Sequence, residues 1–307
     1  MSLLQRALHR GRVEYEEFLF LWTVKTILDT PIVSVGSMPF RLVSMVQHRD
    51  VLPYLLALKS FTRYLNPHKI LVVCDPTITA GDRDMLRQQV PHIDLRDASE
   101  FVHHDIPRGG CWERLFAITE YARQDYVVQL DADTVTIARP IEVEQAINQM
   151  RGFVLGEAVN QTILPVETVS ANAALRAQPG AHIQHQSEAA LSSMGFGSGT
   201  RYVRGCAGFT GFQTDTAMQD KVVEFSRRMR ERFQERWSAW GTEQVASNFT
   251  VANQPGTEVL PFPKYGTPNV TGLGDTFIHF IGSRRFVNGK YRGTAQCVIR
   301  ELNQKGD

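Results

Sequence analysis

In YVVQLDADTV (Tyr126–Val135) a largely apolar run ends in two aspartates separated by a single residue, Asp131 and Asp133. A strand of this composition delivers the residues after it onto a turn, where the chain leaves the extended conformation and both carboxylates can face one side. Carboxylates that close repel each other unless a cation lies between them. A hard divalent ion with oxygen ligands, Mg²⁺ or Mn²⁺, meets that demand, and such ions usually share their shell with substrate phosphates. The same spacing also occurs in solvated turns at strand ends, so the pair is weighed with the groups that the chain can bring to it.

His279 closes the strand-like TFIHF. Alone it would be a core histidine, but beside Asp133 a neutral imidazole makes a third ligand that suits Mn²⁺ better than Ca²⁺. Gly282-Ser283-Arg284-Arg285 and Lys290 form a short basic loop. Such a cluster can bind a phosphate group; a solvated loop is the bland reading. Glu243-Gln244 follows the break at Trp240-Gly241 and is either an ordinary helix start or a carboxyl and amide brought to a reacting centre. His182 and His185 are three apart with no third ligand near, which reads as surface or ligand-site histidines. Trp237 and Trp240 are expected to pack rather than stack on a ligand. Gly205 and Gly208 suit a close backbone approach or a tight turn.

The elements that must hold these residues alternate. Phe40–Val46, His68–Asp75 and Tyr126–Leu130 read as strands, and Val51–Leu65, Gly81–Val90 and Trp112–Arg123 as helices, Pro53 sitting in the first turn of its helix. Strands separated by helices indicate an α/β fold with a mostly parallel sheet. Ligands in such sheets bind beyond the carboxyl ends of the strands, which puts Gln47, His48, Asp75, Asp131 and Asp133 on one rim. Beyond Gly152–Ala158, a further strand, residues 160–200 are polar and weakly periodic, as in a lid or an inserted substrate-binding loop with hinge freedom at Gly195–Thr200. Arg201–Phe212, a charged helix from Thr216 to about Glu235 and a last strand at Thr276–Ile281 complete the pattern. Residues 3–28 read as a helix, giving an N-terminal helical arm over 1–34 and one catalytic domain over 35–307. Arg6, Arg10 and Arg12 can touch an acidic surface, although a helix packed on the main domain is the plainer role.

Two enzyme classes use such an acidic pair. In a haloacid-dehalogenase-type phosphatase D-x-D-x-T/V supplies an aspartyl nucleophile and an acid, and DADTV fits. That class needs a second acidic pair downstream, where this chain has Asp275 and then His279, and its motif usually opens the domain. In the other class D-x-D holds the metal that bridges a nucleotide-sugar diphosphate. From about Phe40 to Phe286 the chain resembles the GT-A-fold glycosyltransferases, closest in motif order to the glycogenin and lipopolysaccharide galactosyltransferase group. Trp112-Glu113-Arg114-Leu115 resembles that group's Y-x-R-L, and Asp131 and Asp133 match its D-x-D. Glu243–Asn248 resembles D-Q-x-x-x-N, and His279–Arg285 resembles H-F-x-G-x-x-K. The chain departs in having Arg285 for Lys, Phe286-Val287 for Pro-Trp, Cys206 for Asn before Ala207-Gly208, and Glu243 for Asp.

The resemblance implies a Rossmann-like GT-A domain, a UDP-linked donor, Mn²⁺ or Mg²⁺ on Asp131, Asp133 and His279, and a carbohydrate or other hydroxyl acceptor. It sets Arg114, Asp131, Gly282, Arg285 and Lys290 at the donor, with Gln47, His48 and Asp75 for base and ribose. It also implies retention of anomeric configuration, with Gln244 on the sugar face opposite the leaving diphosphate; in an inverting enzyme Glu243 would instead be the general base. A catalytically silent GT-A domain that only binds nucleotide sugar is a further reading.

Composition narrows the rest. With 33 Lys+Arg against 32 Asp+Glu the chain carries +1, which gives no general pull toward nucleic acid, and 43% hydrophobic residues suffice for a sizeable core. Cys74, Cys111, Cys206 and Cys297 form no C-x-x-C, so reduced thiols in a cytoplasm are expected. Charges bracket the apolar Phe18–Trp22 too closely for a transmembrane span or a signal peptide, while peripheral membrane contact and oligomeric state stay open. Sequons at Asn160, Asn248 and Asn269 carry little weight without an export signal.

Overall fold

The computed structural model describes residues 3–268, 270 and 275–304, so the sequon at Asn269 lies outside the described residues. The chain opens with α1 (Leu3–Val24) and a 3-10 turn at Lys25–Asp29. It continues through β1 (Met38–Val46), α2 (Val51–Thr62), β2 (Pro67–Cys74), α3 (Ala80–Gln89), β3 (Asp94–Asp97), α4 (Trp112–Tyr121) and β4 (Tyr126–Leu130). Then come β5 (Thr134–Thr136), α5 (Ile141–Asn148), β6 (Phe153–Leu155), β7 (Leu164–Pro165), α6 (Val166–Ala174) and α7 (Ile183–Ala190). The last third holds β8 (Arg201–Tyr202), β9 (Cys206–Phe212), α8 (Met218–Phe233), α9 (Thr242–Ala252), β10 (Glu258–Val259), β11 (Tyr265–Gly266), β12 (Phe277–His279) and α10 (Lys290–Gln304).

Local chemistry explains several boundaries. Thr79 and Asp82 form a capping box that starts α3, the Thr79 hydroxyl accepting from Asp82 N at 3.2 Å and Asp82 Oδ2 accepting from Thr79 N at 2.8 Å. In α8 the residues Met218, Val222, Phe225 and Met229 repeat at helical spacing and are buried, while the charged residues face out. Every residue of β4 is buried, as a central strand requires.

Seven strands form the main sheet in the order β10-β6-β9-β4-β1-β2-β3. β1 pairs in parallel with both β2 and β4, and β9 runs antiparallel between β4 and β6. Adjacent residues of β1 face opposite layers: Leu42 packs with Phe61 and α10, Val43 with Trp112 and the α8–α9 side. The chain winds from β1 through β2 to β3, then returns as β4 on the other side of β1. That reversal opens a crevice at the carboxyl ends of β1 and β4, where open α/β sheets bind ligands.

Three features differ from the pattern read in the sequence. Residues 160–200 are not featureless: α6 and α7 pack together, with the Ser170 hydroxyl donating to Glu188 O at 2.9 Å. Their inner faces use Ser170, Ala173, Ser187 and Glu188, so small and polar residues hide the helical period. Lys290 is not in a loop but opens α10. Thr134–Thr136, which merges with the preceding run in sequence, is a separate strand in a second sheet, β11-β12-β5. Among the described residues no helix is long and apolar enough to cross a membrane, and all four cysteines are free.

Candidate metal and donor site

The second sheet builds the site. β12 pairs antiparallel with β5, setting His279 opposite Thr134 and Ile278 opposite Val135. Phe280 N donates to Asp133 O at 2.8 Å, which fixes the end of β12 against the acidic turn. On the other side Asp131 N donates to Gly208 O at 2.9 Å, and the Thr134 hydroxyl donates to Asp131 O at 2.8 Å, closing the turn. The ligand atoms of Asp131, Asp133 and His279 therefore lie within 4.8 Å of one another. His279 Nε2 is 3.0 Å from Asp133 Oδ1 and 3.8 Å from Asp131 Oδ2. Two carboxylates and one imidazole suit Mn²⁺ or Mg²⁺, the first more than the second because of the nitrogen donor.

Around this triad run two ion-pair chains. Behind Asp131, Arg114 from the first turn of α4 pairs with Asp131 and donates to Glu243 Oε1 at 3.2 Å. Both Arg114 and Glu243 are 4% exposed. The Trp112 indole donates to the Thr242 hydroxyl at 3.0 Å, tying together the helix starts that carry them. In front of Asp133, Arg285 pairs with Asp133 Oδ2 at 2.8 Å and with Asp50 Oδ1 at 2.9 Å, and Gln47 Nε2 donates to Asp50 Oδ2 at 2.7 Å. His279 Nδ1 lies 3.2 Å from Cys206 Sγ; in the neutral tautomer that donates from Nδ1 to sulfur, Nε2 keeps a lone pair for a metal.

The charges respond to these neighbours. Burial holds the Asp131 carboxyl above its ordinary range, against the pull of Arg114 and His279 and with Asp133 adding to the rise. Asp133 is buried too, but His279 and Arg285 outweigh that and keep it well below the usual carboxylate range. For His279, burial disfavours the proton, yet the Cys206 sulfur and Asp133 carboxylate together raise it well above an ordinary imidazole. Burial pushes Glu243 up to about 7, with Arg114 holding it back.

The other singled-out residues are dispersed around this centre. His48 and Asp75 stand on the same rim and bond to neighbours outside the triad: His48 Nδ1 meets Asp82 Oδ2 at 2.8 Å, and Asp75 Oδ1 accepts from the Thr77 hydroxyl at 2.6 Å. Gln244 is half-buried beside Glu243, with no side-chain hydrogen bond among the described residues. Gly282 takes a left-handed φ of 47° in the turn that swings Arg285 back toward Asp133. Lys290 Nζ donates to Pro268 O at 3.4 Å. His182 caps α7, His185 meets Arg204, and Trp237 is fully buried while Trp240 is 74% exposed. Asn248 is buried and donates to Gly205 O at 2.8 Å, so its sequon is a structural asparagine.

Sequence reasoning missed Asp50, Cys206 and the purpose of Gly208. A Cβ on Gly208 would overlap the His279 ring, so the glycine makes room for the imidazole. Asp50 lies three residues past Gln47, but its link to Arg285 spans 235 positions and leaves no local signal. A second group, His103, His104 and Asp105, also gathers possible ligands on the loop before α4. Those three are consecutive and already bound to one another, His103 Nδ1 accepting from Asp105 N at 3.2 Å.

No family model matches the chain, and neither does any curated protein. Among solved structures it is similar to the apo form of the bifunctional glycosyltransferase WbbM, with a TM-score of 0.51 and 14% identity over 89% of this chain and 53% of that one. It therefore spans about half the length of WbbM. It is also similar to an active-site mutant of LgtC, with a TM-score of 0.51 and 12% identity over 87% of this chain and 96% of that one. With its mixed sheet, reversed β9 and acidic turn at the end of β4, this chain has the fold of the GT-A glycosyltransferases.

Proposed function

We propose that the chain transfers a sugar from a nucleotide-diphosphate donor, UDP-linked, to the hydroxyl of a carbohydrate or similar acceptor, with retention of configuration. The observation that carries this reading is the convergence of Asp131, Asp133 and His279 at the crevice of a GT-A fold. These residues would hold Mn²⁺ or Mg²⁺, which when bound offsets the charge of the diphosphate and of the departing nucleotide. Arg285 enters from the opposite side, on the turn after β12, and its guanidinium can follow the phosphate as negative charge builds there. Asp50 holds that arginine in reach, and Gln47 orients Asp50. Gly282 and Lys290 flank the same basic turn, and in this reading His48 and Asp75 on the rim hold base and ribose.

The choice of Gln244 over Glu243 as the group facing the reacting sugar rests on exposure. Glu243 is closed off and committed to Arg114, so it is poorly placed to take a proton from an acceptor. Gln244 is more accessible and has no such commitment among the described residues, and its amide oxygen can stabilise positive charge on the sugar ring. In this reading residues 35–307 are the catalytic domain, 1–34 a helical arm, and 160–200 a cover that keeps water from donor and acceptor in a cytoplasmic enzyme.

The phosphatase reading finds no support in the site. Its nucleophile would be Asp131, which is ion-paired with a buried arginine. A thermal-shift series with nucleotide sugars, with and without Mn²⁺, tests the proposal. A UDP-sugar should raise Tm only with metal, Asp133→Ala should abolish that shift, and acceptor-free hydrolysis of the UDP-sugar should separate an enzyme from a silent binding domain. A metal-independent shift that persists in Asp133→Ala overturns the assignment.

A further inference from the structure

α1 uses one face to dock and leaves another bare. Its inner side is fixed to the body: the Phe20 ring stacks on Tyr291 at 3.9 Å, Val24 is buried, and Glu16 pairs with Arg292 at 3.2 Å. Outward stand Leu8, Gly11, Tyr15, Phe18 and Trp22, spaced three and four apart as in a coiled-coil seam. Leu8 is 58%, Tyr15 61%, Phe18 64% and Trp22 74% exposed. Single exposed apolar residues are ordinary, but a contiguous stripe over two heptads marks a surface that something covers.

We propose that a second copy of this chain covers it, the two α1 helices pairing antiparallel about a two-fold axis. The charges beside the stripe favour this occupant. Arg10 and Arg12 lie in the first half of α1 and Glu14 and Glu17 in the second, with Arg10 also paired to Glu14 along the helix at 2.9 Å. Antiparallel packing sets the basic half of one helix along the acidic half of the other, whereas parallel packing would set like against like. The apolar layers agree with that direction. A seam in which Leu8 meets the partner's Phe18 also sets Gly11 against the partner's Tyr15, and the space over Gly11 is open to receive the ring. A two-fold contact of this kind is self-complementary and closes at two copies. A membrane surface fits less well, because Glu14 and Glu17 border the stripe and would face anionic headgroups.

Sedimentation velocity on the full chain, up to about 100 μM, tests this. The protein should sediment as a dimer. Tyr15→Glu with Phe18→Glu should raise the dissociation constant roughly a hundredfold or more while leaving the circular dichroism spectrum unchanged, since both side chains are exposed. Arg10→Glu with Arg12→Glu should weaken the dimer, and adding Glu14→Arg with Glu17→Arg should restore it. A wild-type monomer throughout that range overturns the proposal, as does a dimer indifferent to the stripe. Monomers that float with phosphatidylserine vesicles, and lose that property in the double glutamate variant, would assign the stripe to membrane instead.

Discussion

Asp131 and Asp133 are two positions apart on one turn and live in opposite surroundings. Asp131 faces inward, to a buried guanidinium shared with Glu243 on a rigid pair of helix starts. Asp133 faces the basic turn, with His279 at 3.0 Å and Arg285 at 2.8 Å. The carboxyl of the first is raised and that of the second lowered. One carboxylate is thus strained by its charge until a further cation arrives, while the other already has cationic partners that a metal must displace or share. On the proposed reading, a metal bound here would relieve the first carboxylate and would compete with the existing ion pairs of the second.

The comparison breaks most sharply in the paired variants Asp131→Asn and Asp133→Asn. Both should lose the Mn²⁺-dependent thermal shift, and sugar transfer should fall at least about a hundredfold in each. Metal-free stability at neutral pH should separate the two. Asp133→Asn removes a carboxylate whose ionised form is favoured and should lower Tm, whereas Asp131→Asn removes one whose ionised form is disfavoured, which offsets the partner lost by Arg114, so Tm should fall less. Melting curves with chelator present measure this contrast, and equal shifts in both variants would remove the asymmetry from the site.

Gly208→Ala attacks the third ligand without touching either aspartate. The new methyl meets the His279 ring, so the imidazole or β9 must move, at a cost of about 1–3 kcal/mol. Metal response should fall with Tm, and a Gly208→Ala variant that binds Mn²⁺ normally would show that His279 is not a ligand. Cys206→Ala is gentler. It leaves the ring in place but removes the acceptor at Nδ1, so Mn²⁺ affinity should drop about tenfold, with Cys206→Ser recovering most of it. Calorimetric titration of the two variants checks the order.

The acidic turn and its imidazole were legible in the sequence because the chemistry is carried by residue type at the end of a buried strand. The parallel core was legible because β1, β2 and β4 are short, mostly apolar runs separated by helical stretches. What stayed hidden depends on pairing across the fold. Asp50 and Cys206 acquire a purpose only through partners far along the chain, Arg285 and His279. α6 and α7 bury serines and alanines, so their hydrophobic period is too faint to read, and β3 (Asp94–Asp97) is a polar edge strand with no apolar alternation at all. Lys290 reads as part of the basic loop that follows Gly282-Ser283, yet α10 begins there.

The inward chain also holds a proton. Glu243 is buried beside Arg114 and raised from 4.5 to about 7. Between those two values the folded chain keeps this proton while the unfolded chain has released it. The folded state therefore binds more protons, and its stability falls as pH rises through the window, by about 3 kcal/mol in all. Glu243→Gln removes that titration, so the Tm of the variant should gain on wild type by several degrees between pH 4.5 and 7 and then run parallel above it. Subtracting the two curves cancels the histidines that titrate in the same range. A difference that is flat with pH would mean that Arg114 keeps Glu243 ionised throughout, and that the inward chain is a charge-balanced strut rather than a reserve of protons.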